Sequence, residues 1–305
     1  MRLSDHLAAL DLKGAAARKA MGSGKVFVHG IPTSDAGREV EAHAVEYRPT
    51  AARLTPGRDM VIVHKDDDLV VVWKPSGLLS VKAAKEGGHL NVVGLVSKLI
   101  GGTALAVHRL DEGTSGLMMV ARNIEAQHHL KSQLEVHSVE RRYVAMVLGT
   151  PQESKWTVSN HLMQLDGEGR RGSVKGKPPR DAKFAKTMFT HLGRAGKRIS
   201  LVEAVLHTGR THQVRIHLSE GGFPIIGDEK YGNATSARAA ERVCLHAVVL
   251  GIEHPRTGEK MRFTSPLPDD MEQLRRRLLR GPEKPARAKG PPRKKPKKSK
   301  PKKRR

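Results

Sequence analysis

One stretch of the chain combines four ionisable side chains with a small polar turn: Val107-His108-Arg109-Leu110-Asp111-Glu112-Gly113-Thr114-Ser115-Gly116. The apolar run Leu117-Met118-Met119-Val120 follows it. A turn feeding a buried strand would hold Asp111 at a sheet edge beside a cation. A carboxylate kept charged by arginine in a partly dry pocket suits a nucleophile or a base. The same residues also read as a structural Arg–Asp pair closing a turn, and ion pairs are far commoner than active sites. The kinase catalytic loop also carries His, Arg and Asp in this order. Here Leu110 intervenes and no Asn follows in the stretch, so that chemistry is set aside.

A second stretch is His207-Thr208-Gly209-Arg210-Thr211-His212-Gln213-Val214-Arg215-Ile216-His217. A helix over residues 212–220 would take Thr211 as its N-cap, favour an anion at its start, and place Arg215 about one turn beyond His212. The three histidines suggest a metal, but five-residue spacing does not stack side chains on one helical face. No metal is expected. The alternative is a basic element aimed at a phosphate or at a carboxylate such as Asp111. Tyr143, in Arg141-Arg142-Tyr143-Val144-Ala145, reads either as core or as a ring that stacks on a nucleobase, worth roughly 1–3 kcal/mol. The glycine-rich stretch at 221–232 reads as a chain reversal around a core strand.

These residues need elements to hold them. Strands are predicted at residues 60–64, 69–73, 117–121, 142–148, 199–206 and 243–252, with helices at 124–135 and 212–220. Strands outnumber helices and do not alternate regularly with them, which predicts an α+β fold. Residues 166–182 read as a basic, Gly- and Arg-rich loop. Ahead of this main domain (60–280), residues 1–50 read as a small basic α/β module. Leu3, Leu7 and Leu10 recur at helical spacing, and Gly22-Ser23-Gly24 breaks the helix before the strand-like Lys25-Val26-Phe27-Val28. Residues 51–59, with Pro56-Gly57, form a linker.

The 305-residue chain has a formal net charge of +24. Residues 281–305 hold thirteen Lys and Arg against Glu283, so the tail carries +12 and the rest another +12. Such a chain is drawn to polyanions through phosphate contacts and counterion release. With six prolines and almost nothing to bury, the tail is expected to be disordered, either solubilising or RNA-binding, with RNA favoured. Cys244 is the single cysteine, which excludes an internal disulfide and a thiolate-rich metal site. No apolar run approaches the ~20 residues of a membrane span. The N-terminus lacks a signal-peptide core, so a cytoplasmic location is expected. No phosphate-binding loop or dinucleotide motif is present, and no nucleotide cofactor is expected.

Taken in order, these segments resemble the RluA family of pseudouridine synthases over about residues 60–270: Lys74-Pro75-Ser76-Gly77-Leu78-Leu79, His108-Arg109-Leu110-Asp111 with Thr114-Ser115-Gly116, Tyr143-Val144-Ala145, Gly209-Arg210-Thr211-His212-Gln213-Val214-Arg215, Gly227-Asp228 with Tyr231-Gly232, and Leu245-His246-Ala247. Residues 1–50 are similar to an S4 RNA-binding domain, with Val28-His29-Gly30 where a Val-Asn-Gly turn is usual. The resemblance implies a mixed, largely antiparallel sheet core with flanking helices. It implies that Asp111 acts on a flipped-out uridine, that Arg215 pairs with Asp111, that Tyr143 stacks on the uracil, and that Arg109 fills the gap left in the RNA. Arg210 and His212 are further RNA-binding candidates, as are Arg18, Lys19 and Lys25 of the N-terminal module. Flipping costs on the order of a few kcal/mol. The reaction is an isomerisation and calls for no cofactor. The expected partner is RNA, foremost 23S rRNA, with tRNA as the alternative substrate, and the chain is expected to be a monomer. The competing reading is a non-catalytic RNA-binding or ribosome-assembly factor on the same fold.

Overall fold

A computed structural model describes residues 1–82, 90–166 and 170–280. The basic tail and residues 167–169 of the Gly/Arg-rich segment lie outside them. In the N-terminal module, α1 (Leu3–Ala9) and α2 (Gly14–Gly22) bury Leu3, Leu7, Ala17, Ala20 and Met21. These pack on β1 (Val26–Val28) of a three-stranded antiparallel sheet completed by β2 (Ile31–Pro32) and β3 (Val45–Tyr47). Leu10 shares the helical spacing but lies past the end of α1 and is exposed. His29 and Gly30 both have positive φ, 49° and 74°. A two-residue hairpin loop needs this, because its twist must match that of the strands.

The linker is packed rather than free: Leu54 sits against Ile31, Val61 and Trp73. Polar contacts also tie the module to the start of α7 (Asp269–Arg280). Asp269 accepts from the Thr33 hydroxyl, the Ser34 amide and Arg38, and Arg276 pairs with Asp35.

The main domain is built on an eleven-stranded sheet. In chain order the elements are β4 (Val61–Lys65), β5 (Leu69–Lys74), α3 (Val92–Ile100), β6 (Leu105–Ala106), β7 (Ser115–Ala121), α4 (Ile124–Glu135), β8 (Glu140–Leu148), β9 (Lys155–Gln164), β10 (Arg171–Ser173), β11 (Lys183–Arg194), β12 (Ile199–Leu206), α5 (Gln213–Glu220), α6 (Ala234–Ala237), β13 (Leu245–Glu253), β14 (Lys260–Thr264) and α7. The spatial order is β10-β9-β11-β12-β8-β13-β7-β5-β4, with β14 beside β13 and β6 beside β7. Among the named strands of this sheet only β13 and β7 pair in parallel; their other pairings are antiparallel. The fold is α+β.

β5 and β7 are apolar on successive residues because both of their faces are covered. Val70, Val72, Met118 and Val120 pack with Val92 and Val96 of α3. Leu69, Val71, Leu117 and Met119 pack with Ala126 and Leu130 of α4. Asn123 caps α4 by accepting the Ala126 amide.

The structure adds elements that the residue pattern does not announce. Strands β9 and β11 are long but half-exposed, with Lys and Thr set among their apolar residues. β10 lies inside the segment read as loop. At α5 the cap differs from expectation: Thr211 is not the N-cap. His212 takes that place at φ 60°, without a side-chain cap bond.

Candidate active site

Asp111 lies in the turn that enters β7, and the neighbouring backbone is tied down by the segment following β5. The buried Lys74 ammonium donates to the carbonyls of Pro75, Leu78 and Glu112 at 2.7–2.9 Å. Burial pulls the Lys74 pKa down to about 7, with Asp111 pulling the other way. The Ser76 hydroxyl donates to Gly113 O, and the Gly77 amide donates to Glu112 O. Ser80 Oγ both donates to Leu110 O and accepts the Leu110 amide. Residues 110, 112 and 113 are thus held on both sides of Asp111. Beyond the turn, Gly116 has φ 117°, and a Cβ there would fall 2.3 Å from Ala247 O. Only glycine lets β7 approach β13 this closely. Ser115 Oγ and His246 Nδ1 lie 2.8 Å apart, joining the same two strands, and His246 Nε2 lies 3.0 Å from Ser265 Oγ, just past β14. Burial keeps this imidazole neutral, its pKa down to about 3.

A cleft of about 480 Å³ opens over Asp111, lined among others by Arg109, Arg141, Tyr143, Arg210, His212 and Arg215. Tyr143 reaches it from the middle of β8, between Ala204 of β12 and Ala247 of β13. The residue is only 7% exposed and packs with the main core while lining the cleft. Burial raises the phenol to a pKa of about 12, so it stays protonated at neutral pH. Arg215 enters from α5, with Nη1 3.5 Å from Asp111 Oδ2. His212 Nε2 is 3.9 Å from Asp111 Oδ1, and its Nδ1 is 2.8 Å from the Tyr231 hydroxyl. Burial pushes the His212 pKa down, and Asp111 opposes the shift.

The principal partner of Arg215 is not Asp111 but Asp228. Nε and Nη2 make a two-pronged contact with its carboxylate at 2.7 and 2.8 Å. Asp228 also accepts the amides of Lys230 and Tyr231. Burial works to raise the Asp228 pKa, but Arg215 outweighs it and holds the carboxyl below its usual value. Asp228 therefore neutralises Arg215 and fixes its direction, leaving Asp111 a longer contact and free oxygen lone pairs. The motif Gly227-Asp228 was visible in the sequence, but nothing in its spacing from Arg215 announced the pairing.

The other predicted positions divide. Arg109, Arg210 and His212 line the cleft. Arg18 and Lys19 are exposed on α2, and Lys25 donates to the Ala51 carbonyl; these three are not among the lining residues. The three histidines of the second stretch do not converge. His207 faces Met188, and His217 is buried between Thr187 and Asn160, its pKa lowered by burial to about 4. His108 is neutral, with Nε2 accepting the Met119 amide and a pKa lowered by burial to about 3. The site therefore offers one partly buried carboxylate, an aromatic ring in the cleft wall and several cations, which fits a reaction on a base within a polyanion.

Residues 68–220 match the family described as RNA pseudouridylate synthase. The chain is 36% identical over 243 residues to ribosomal large subunit pseudouridine synthase D of Zymomonas mobilis, covering 72% of each chain. It is 36% identical over 218 residues to the dual-specificity RNA pseudouridine synthase RluA of Pasteurella multocida, covering 70% of this chain and 96% of that one. Human RNA pseudouridylate synthase domain containing 4 superposes with a TM-score of 0.58 at 26% identity, over 72% of this chain and 93% of that one. The chain belongs to the RNA pseudouridylate synthase family, is of the RluA type, and is an isomerase that converts uridine in RNA to pseudouridine.

Proposed function

We propose that Asp111 is the catalytic carboxylate and that the substrate is large-subunit rRNA. The observation that carries the first part is the convergence of Asp111, Tyr143 and Arg215 on one cleft from a turn, a strand and a helix. Isomerisation breaks the C1′–N1 bond, turns the uracil while it is held, and forms a C1′–C5 bond. Both routes open to the carboxylate, addition at C1′ or removal of the C2′ proton, need a charged oxygen aimed at the ribose. Asp228 supports this by saturating Arg215, so that the guanidinium does not cover Asp111. Tyr143 holds the uracil by its face, which lets the ring rotate without leaving. The rRNA assignment draws on the large-subunit synthase that the chain resembles and on the basic body of the chain. The exposed Arg18 and Lys19 make the N-terminal module a further RNA contact.

The test is pseudouridine mapping of rRNA and tRNA from cells lacking the protein, complemented with wild type or with Asp111→Asn. Wild type restores sites in large-subunit rRNA, and the variant loses about 10²–10⁴ in rate, the usual worth of a positioned proton-transfer group. Sites restored only in tRNA overturn the substrate. A fully active Asp111→Asn overturns the residue.

A further inference from the structure

Arg141 is a buried cation that the roles above leave unused. It stands two residues before Tyr143 on β8, so both project from the same face of the strand about 7 Å apart. Arg142, between them, points to the other face and meets Glu140 and Glu203 there. Arg141 is only 7% exposed, yet it lines the cleft. It makes one hydrogen bond among the described residues, from Nη2 to the His207 carbonyl at 3.2 Å, and its Nε has no partner. No carboxylate among the described residues pairs with it, whereas Arg38 has Asp269 and Arg215 has Asp228. Its charged neighbour is another cation: burial pushes the guanidinium below its ordinary pKa, Tyr143 opposes the shift, and Arg210 adds to it. Gly209 lies flat against it. A Cβ at that position would fall 2.6 Å from Nη1, so the loop is shaped around the guanidinium.

Burying a guanidinium without a counterion opposes folding. A chain that keeps one in a cleft facing RNA has a use for the missing anion. We propose that Arg141 is the phosphate-binding residue of this cleft, receiving one phosphodiester of the nucleotide whose base meets Tyr143. The planar fork of donors fits two phosphate oxygens at once, which a lysine ammonium does not. The separation along β8 suits a base at Tyr143 and its own backbone phosphate at Arg141. Naming RNA as the source of that phosphate rests on the pseudouridine synthase reading; the anion site itself rests on burial and the absent counterion.

The experiment compares Arg141→Met and Arg141→Lys with the parent, all in an Asp111→Asn background so that binding is read without turnover. The probes are purified 23S rRNA and, as a minimal anion, inorganic phosphate against chloride at equal ionic strength. For Arg141→Met, the melting temperature in chloride stays level or rises, because an unpaired buried charge is gone. Its Kd for RNA rises roughly tenfold or more, as for a lost charge-assisted hydrogen bond. The slope of log K against log salt flattens by about 0.7–0.9, one phosphate contact. Phosphate raises the melting temperature of the parent more than that of the Met variant, and Arg141→Lys lies between the two in affinity. Equal affinity and slope for the parent and Arg141→Met overturn the assignment. So does a Met variant that melts lower in chloride while its RNA affinity falls only in proportion to the unfolded fraction, since Arg141 is then a structural tie to His207. Failure of the catalytic reading would show separately, as wild-type protein that forms no pseudouridine.

Discussion

Replacing Asp228 by Asn and Asp111 by Asn should have opposite consequences, although each removes one charge beside Arg215. Asp228 is 1% exposed and holds Arg215 by two hydrogen bonds of 2.7 and 2.8 Å. In Asp228→Asn an amide N–H faces one Arg215 donor, and the guanidinium keeps one neutral hydrogen bond to the amide oxygen, the face of the Tyr231 ring and, as its one anionic contact, Asp111 at 3.5 Å. Removing one partner of a buried pair costs about 3–5 kcal/mol. Asp111 can move closer and recover part of this, so the lower end, about 3 kcal/mol, is expected. At about 2–4 °C per kcal/mol for a large domain, the melting temperature falls by about 6–12 °C. Asp111→Asn removes only the long contacts to Arg215 and His212 and should cost within about 1 kcal/mol, while it lowers turnover by about 10²–10⁴. Calorimetry across pH adds a sign. Arg215 holds the Asp228 pKa below its ordinary 3.8. The pair's contribution is therefore present above that value and is lost as pH falls through the lower folded pKa. The gap between wild type and Asp228→Asn should be flat between about pH 5 and 8 and close below about pH 4. Equal losses for the two variants, or a gap that widens in acid, would refute the assignment of Asp228 as the counterion of Arg215.

Two further outcomes follow from the site. Tyr143→Phe keeps the ring and should bind RNA as wild type does, whereas Tyr143→Ala raises Kd about tenfold, the worth of one stacked base. With its phenol protonated up to about 12, Tyr143 contributes no limb to the pH–rate profile near neutrality; a limb that vanishes in Tyr143→Phe would contradict this. Lys74→Met strands the carbonyls of Pro75 and Leu78 and leaves that of Glu112 with the Gly77 amide alone. It should cost about 2–4 kcal/mol net and lower kcat by loosening the Asp111 turn, read by denaturant midpoint and single-turnover rate; unchanged stability would show that the three bonds do not hold the turn.

Much of the frame was legible because burial writes itself into residue type. Strand β12 and helix α4 fall at the residues that the apolar pattern marks, since each buries a regular set of apolar positions. β9 and β11 were not legible, because they are half-exposed and pair chiefly with each other and with β12, so Lys, Thr and Ser serve there as well as Val. The cap at His212 was missed because a left-handed residue at a helix start is imposed by its surroundings, here Asp111 and Tyr231, and not by local preference.

The active site shows the same division. Residue types alone left Asp111 as an ion pair in a turn; it was the order of the segments along the chain, through their resemblance to the RluA family, that pointed to Asp111, Tyr143 and Arg215. Which charges pair was decided only by the tertiary structure. Arg215 stands 104 residues from Asp111 and 13 from Asp228, and neither interval corresponds to a local motif that would fix a contact. Distance and burial chose Asp228 as the counterion and left Arg141 with none, because a charge is neutralised by what packs against it and not by what lies near it in sequence.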